Sequence, residues 1–216
     1  MKLRCIIFDV DGTLTATGQL IFDSFNHIAE LYKGKRFEEA EIIKMFGPPE
    51  EIALLSIVNE SQIEEAMAEY LRFYRGHHAE LAHLHPGMRE VLEYIKGRGL
   101  KLAIFTGKGA HTTKISLEEL GIEGFFDYIV TGNDVRNHKP SAEGIIKILD
   151  HFHLETQEAL MIGDGASDIK AAHEAGVKVG AVLWDGYAGD KVRTMQSEYA
   201  FHTVVQLHDW LKENLD

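Results

Sequence analysis

Asp9 and Asp11 sit two positions apart in CIIFDVDGTLT (residues 5–15), directly after an apolar run that reads as a buried strand. Side chains two apart on an extended backbone share one side, and two carboxylates that close repel each other. Such a pair needs a cationic neighbour. Polar residues follow other apolar runs at the same kind of position. Thr106, Gly107 and Lys108 follow KLAIF, Lys139 lies in TGNDVRNHKPS, and Asp164 and Asp168 lie in GDGASD. If they converge, they bring four carboxylates, a hydroxyl and one or two lysines to one place. Several carboxylates together suit a hard divalent cation such as Mg²⁺, which takes one or two of them and draws its other ligands from water and phosphate. Lys139 by charge and Thr106 by hydrogen bond would hold the remaining phosphate oxygens. Phosphoryl transfer asks mainly for positioning and charge neutralisation, and this set offers both.

Those residues meet only if their strands lie side by side. Five short, largely non-alternating apolar runs are present: LRCIIFD near the start, KLAIFT at 101–106, YIVTG at 128–132, ALMIGD at 159–164 and KVGAVLW at 178–184. Continuous apolar runs suit parallel strands covered on both faces. Helical patterns separate them at 87–99, 111–122, 141–152 and 167–176, the first with Val91, Leu92 and Ile95 on one face. The alternation predicts an α/β fold, a doubly wound, mainly parallel sheet with right-handed crossovers, whose ligands sit beyond the carboxyl ends of the strands. One stretch breaks the pattern. From about residue 19 to residue 83 only helical signals occur, with breaks at Lys33–Arg36, Gly47–Pro49 and near Asn59–Ser61. This predicts an all-helical cap domain over 17–83, inserted after the first strand into a core made of 1–16 and 84–216, with Pro86 and Gly87 at the return. An insert that leaves the core beside Asp9 and Asp11 is placed to act as a lid.

The order DVDGT, a hydroxyl after the second strand, KP, then GDGASD resembles the four motifs of the haloacid dehalogenase-like superfamily, over essentially the whole chain. GPPEE at 47–51 and HPGM at 85–88 are similar to the cap loop and cap-to-core return of its phosphoglycolate phosphatase-like branch. The resemblance implies a Rossmann-like core and a Mg²⁺-dependent phosphatase acting on a small phosphorylated metabolite, phosphoglycolate-like or a sugar phosphate, through an aspartyl phosphate. It casts Asp9 as nucleophile and Asp11 as general acid and then base. Thr106, Gly107 and Lys139 become phosphoryl-binding residues, with Thr106 and Lys139 also catalytic. Asp9, Asp164, Asp168 and the backbone carbonyl of Asp11 become metal ligands, and Gly12 allows the tight turn. A carboxylate at position 11 favours phosphoester hydrolysis over dehalogenation. The alternatives are a phosphosugar mutase using the same aspartyl phosphate, and a non-catalytic phosphate-binding regulatory module. The chain departs from the family pattern at Ala16-Thr17, at Gly107 where Asn is frequent, and at KPSAE.

Composition narrows the partners. Among 216 residues, 45% are hydrophobic and 26% charged, ordinary for a globular protein, and the formal charge of −12 argues against nucleic acid or an anionic membrane. A single cysteine, Cys5, excludes an intrachain disulfide, fits a reducing compartment and reads as a small apolar filler of the first strand. No signal-peptide pattern or membrane-length apolar run occurs, so a cytoplasmic location is expected. A homodimer is compatible with the sequence, and the oligomeric state stays open. Less specific readings attach to several residues. Thr106 could be a helix N-cap, Asp168 a helix-terminal acid, and Lys139 and Lys108 solvated loop cations; Lys108 is left outside the site for that reason. His77, His78, His83 and His85 match no zinc spacing and read as exposed hinge residues. Tyr70, Phe73 and Tyr74 read as cap packing, and Gly47–Pro49 as either a helix break or a substrate-facing loop.

Overall fold

The structure, a computed structural model, describes residues 3–185 and 190–215, without the side chains of 190 and 191. The apolar runs form strands β1 (Cys5–Phe8), β4 (Lys101–Phe105), β5 (Tyr128–Val130), β6 (Ala159–Gly163) and β7 (Lys178–Val182), joined at the edge by β8 (Tyr199–Phe201). All pair in parallel, in the order β5-β4-β1-β6-β7-β8. The chain therefore has the expected α/β architecture, with β1 central.

Burial on both faces explains the lack of alternation. Ile6 and Phe8 of β1, Leu102 and Ile104 of β4 and Leu160 and Ile162 of β6 face one core, with α5 (Met88–Gly97) and α10 (Val204–Asn214) over them. Cys5 and Ile7, Ala103 and Phe105, and Ala159 and Met161 face the other, under α7 (Glu143–Phe152) and α8 (Ala166–Ala175). Each fully buried Ile, Leu, Phe or Met contributes about 1.5–3 kcal/mol of transfer free energy, so both faces are strong constraints on the register. The predicted helices at 111–122 and 167–176 appear as α6 (Ala110–Glu119) and α8. Three elements near the carboxyl end were not predicted: the short helix α9 (Asp190–Thr194), β8 and α10. The edge strand β8 is three residues long, too short to show periodicity, while α10 carries its signal in the Thr203 N-cap and the buried Val204, Leu207 and Leu211.

The helical stretch leaves and rejoins the sheet through a two-stranded antiparallel ribbon, β2 (Thr15–Ala16) with β3 (His83–Leu84). Between them lie α1 (Gly18–Lys33), α2 (Glu39–Ile43), α3 (Glu50–Ala53) and α4 (Ile63–Leu81). These helices share a separate apolar core, including Leu20, Phe25, Ile28, Leu54, Tyr70 and Tyr74, joined by Ile115 of α6. Tyr70 and Tyr74 are therefore packing residues, as expected. Among the described residues no helix is long and apolar enough to cross a membrane.

Candidate active site

Each sheet strand of the centre delivers its polar residues at its carboxyl end. Asp9 follows β1, Thr106 follows β4, and Asp164 follows β6, so parallel register alone brings them to one edge. The chain turns after Val10 through Gly12, which has φ of +82°. A Cβ there would lie 2.4 Å from Asp164 Oδ2, so both the turn and the close approach demand glycine. Beside it Thr13 Oγ1 donates to Asp164 Oδ1 at 2.8 Å.

Carboxylate oxygens of Asp9, Asp164 and Asp168 lie within 4.8 Å of one another, the single such potential metal-holding group among the described residues. Lys139 is buried between two of them, its Nζ 3.0 Å from Asp9 Oδ1 and 2.5 Å from Asp168 Oδ1. It is no solvated loop lysine. Burial draws its ammonium pKa down, but Asp168 and Asp9 outweigh that and raise it. Asp168 uses its other oxygen, Oδ2, to accept from Gly165 N at 2.9 Å, so it caps α8 and binds Lys139 at once.

Charge compensation in this cluster is incomplete. Burial lifts the Asp9 carboxyl to about 6 despite Lys139, with Asp168 and Asp11 adding to the rise. Burial, Asp9 and Asp168 push Asp164 well above the usual carboxylate range. Asp9 Oδ1 is buried, and the ammonium of Lys139 is the partner it meets there. Three clustered carboxylates sharing a single lysine are the donor set a hard divalent cation would satisfy.

Asp11 is turned away from this cluster. Its Oδ1 accepts from Thr17 Oγ1 at 2.6 Å and its Oδ2 from Lys108 Nζ at 3.2 Å. The expectation that Lys108 is a loop cation is wrong. Its side chain is 1% exposed, lies 4.6 Å from the Tyr74 ring centroid and is also 3.8 Å from Glu50 Oε1. Burial opposes its charge, yet Asp11, Tyr74 and Glu50 together hold its pKa well above the ordinary value.

Thr106 is buried, accepts from Lys108 N through Oγ1 at 3.2 Å, and does not cap α6, whose N-cap is Gly109. That helix is capped from the insert instead. Glu50 accepts from Gly109 N at 2.8 Å and from Thr112 Oγ1 at 2.6 Å. Glu50 escaped sequence reasoning because an acid opening a short helix is ordinary, and its partner lies 59 positions away. The loop before it sits directly on the core. A Cβ on Gly107 would come within 2.6 Å of Gly47 O, and one on Gly132 within 2.7 Å of Pro49 Cγ. The departure at Gly107 and the GPP loop are thus one feature, a glycine seat for the insert.

Three of the four hinge histidines are not exposed. His78 is 1% exposed, its Nε2 3.2 Å from Ser116 Oγ, and His85 lies with Nε2 3.6 Å from Asp185 Oδ2. His83 is exposed and His77 half-buried, stacked on Phe73. Register explains the difference: on α4, residues 74 and 78 lie on the face turned to α6, while 77 lies beside it.

Residues 6–182 match the model of the haloacid dehalogenase-like hydrolases. The chain belongs to that family. It is an enzyme of the phosphatase type within it. Among curated relatives, pyrophosphatase PpaX of Bacillus cereus (strain B4264) is 34% identical over 184 residues, 85% of each chain, and the Bacillus anthracis PpaX matches equally. Among solved structures, a predicted phosphoglycolate phosphatase from Haemophilus somnus 129PT superposes with a TM-score of 0.86 at 22% identity, covering 99% of this chain and 98% of that one. CbbY from Rhodobacter sphaeroides, solved with phosphate, gives 0.82 at 20% identity over 95% and 96%. At those identities the structural likenesses speak for the fold alone.

Proposed function

We propose that this enzyme is a Mg²⁺-dependent phosphatase of the cytoplasm that hydrolyses a small phosphorylated metabolite through an aspartyl phosphate on Asp9. The observation that carries the reading is the convergence of Asp9, Asp164 and Asp168 within 4.8 Å, with Lys139 bridging Asp9 and Asp168. Asp9, Asp164, Asp168 and the Asp11 backbone carbonyl would hold Mg²⁺, which when bound neutralises phosphate charge and keeps the acids ionised.

The remaining work belongs to the chain. Lys139 holds Asp9 in place and offsets phosphate charge, while Thr106 hydrogen-bonds the transferring group. An Asp9 oxygen attacks phosphorus as the bond to the leaving oxygen breaks, and Asp11 gives that oxygen a proton. Asp11 then takes a proton from the water that attacks the phosphorus of the aspartyl phosphate, releasing phosphate and restoring Asp9. Thr17 and Lys108 fix the Asp11 carboxyl for both steps. Residues 17–83 act as the cap over the core of 1–16 and 84–216, excluding water during the first step. Gly107 supplies the floor where the cap loop and the phosphate site meet.

The test is phosphate release from a panel of phosphometabolites with Mg²⁺ and with EDTA. Wild type should turn over only with the metal. Asp9→Asn should reduce kcat at least about 10⁴-fold, and Asp11→Asn should accumulate acid-stable phosphate on the protein. Substantial turnover by Asp9→Asn sinks the nucleophile assignment. Isomerisation without phosphate release points to a mutase, and phosphate–Mg²⁺ binding with no turnover to a regulatory module.

A further inference from the structure

The cavity that contains the acid cluster has a volume of about 490 Å³, within the usual range for small-molecule sites of about 300–1,000 Å³. Its two ends differ in kind. The sheet end carries the ionic groups described above. The wall facing them, contributed by the insert, is built from Ile21, Phe22, Phe25, Ile43, Met45 and Phe46. Two of these, Ile43 and Phe46, are 46% and 43% exposed, apolar side chains left open within a cavity whose opposite end is charged. Phe46 stacks on Phe22 with ring centroids 5.9 Å apart, so the wall is a fixed aromatic platform rather than a pair of loose side chains.

The charges of the cavity add a second, independent constraint. Its described lining holds six acids, Asp9, Asp11, Glu50, Asp164, Asp168 and Asp185, against two lysines. Both lysines are already engaged: Lys139 with Asp9 and Asp168, Lys108 with Asp11 and Glu50. Both also belong to the core, so among the described residues the insert brings no arginine, lysine or histidine to the cavity. A leaving group carrying its own anion, such as the carboxylate of glycolate phosphate or the second phosphate of pyrophosphate, would meet no cation from the insert among the described residues. Burying an uncompensated anion is costly, whereas an uncharged ring laid on Phe46 and Ile43 removes apolar surface from water on both sides.

We infer that the substrate is a phosphomonoester whose leaving alcohol is uncharged and carries an apolar, ring-sized group, bound by the insert's Ile43–Phe46 wall. The inference rests on the phosphatase reading above and specifies its substrate class. Selectivity then comes from apolar burial of the leaving group rather than from a second anion site.

The test compares 2-phenylethyl phosphate with ethyl phosphate, glycolate phosphate and pyrophosphate, each with Mg²⁺. The first two share the same kind of primary alkoxide leaving group and differ in the ring, so reactivity is held nearly constant. Burying a phenyl group predicts a kcat/KM for phenylethyl phosphate at least about tenfold above that for ethyl phosphate, and above those for glycolate phosphate and pyrophosphate. Phe46→Ser should pull the phenylethyl-to-ethyl ratio toward one. Because that ratio is taken within one protein, it is read without reference to how much of the variant folds, and Ile43→Ser gives a second reading of the wall.

Preference for glycolate phosphate or pyrophosphate would overturn the inference and leave the phosphatase reading intact, as would a ratio near one in wild type. If none of the four releases phosphate but others of the wider phosphometabolite panel do, the inference is overturned and the phosphatase reading stands; if nothing on that panel does, the phosphatase reading fails. Calorimetric titration of Asp9→Asn with phenylethyl and ethyl phosphate then decides the inference alone: tighter binding of the former upholds it, and equal or absent binding overturns it.

Discussion

Gly12 shows how closely single residues are specified around the acid cluster. Its φ of +82° disfavours any side chain, and a Cβ would press to 2.4 Å from Asp164 Oδ2 and 2.8 Å from its Cγ. Gly12→Ala should therefore cost about 1–2 kcal/mol from the left-handed backbone and displace Asp164. The Mg²⁺ concentration giving half-maximal phosphate release should rise at least about tenfold, measured by metal titration beside a denaturant melt. An unchanged metal requirement would show that Asp164 can move without loss. The placing of Asp9, Thr106 and Asp164 was legible in the sequence because each directly follows an apolar run, and a strand end is a local property, whereas Asp11, Lys139 and Asp168 lie further along and were reached only through the order of the motifs. Lys108 was not legible. Two positions from Thr106 it reads as a loop cation, and only its meeting with Asp11 and Glu50 makes it a buried one.

At the scale of elements, the junction between the insert and α6 decides how the site is closed. Glu50 caps α6 through Gly109 N and Thr112 and also sits 3.8 Å from Lys108. Glu50→Ala should strand the amino end of α6 and weaken the pairing of Lys108. The expected cost is about 2–3 kcal/mol in urea unfolding, with a raised KM as the loop leaves its glycine seat. A loss below about 0.5 kcal/mol would mean water replaces the carboxylate without penalty. One turn of α4 away, Tyr74 Oη and His78 Nε2 both reach Ser116 Oγ, at 2.9 and 3.2 Å. Burial, then Lys108, lowers the His78 pKa against the weaker pull of Glu119 and Asp11. A histidine with a depressed folded pKa contributes stability that is whole above its unfolded value near 6.5 and drains away as pH falls below it. The thermal midpoint should thus fall less between about pH 7 and about pH 5 in His78→Gln than in wild type. Equal slopes would place His78 in contact with solvent.

The whole molecule is organised around the β1–β4–β6 centre, packed on both faces, with its acids gathered at one edge. The folded state carries an electrostatic strain there, visible in the upward shifts of Asp9 and Asp164. A ligand that binds only this state stabilises it by mass action, about 2.7 kcal/mol at a hundred times its Kd. Saturating Mg²⁺ should raise the thermal midpoint of the wild-type protein at neutral pH by several degrees, and EDTA should reverse it. Asp164→Ala should lose most of that shift. A shift of wild-type size in the variant would place the cation elsewhere.

The residues alone determined the alternation of apolar runs with amphipathic helices, hence the parallel sheet. They also determined that Asp9, Thr106 and Asp164 would share its carboxyl edge, because strand period and strand termini are written within a few consecutive positions. Only the tertiary structure decided which charges pair. It buried Lys108 and His78, set Glu50 on α6, seated Gly47–Pro49 on Gly107 and Gly132, and turned the apolar wall of the insert toward the acids. Those outcomes join segments tens of residues apart, and no short-range pattern encodes a contact made only when two separately packed cores close on each other.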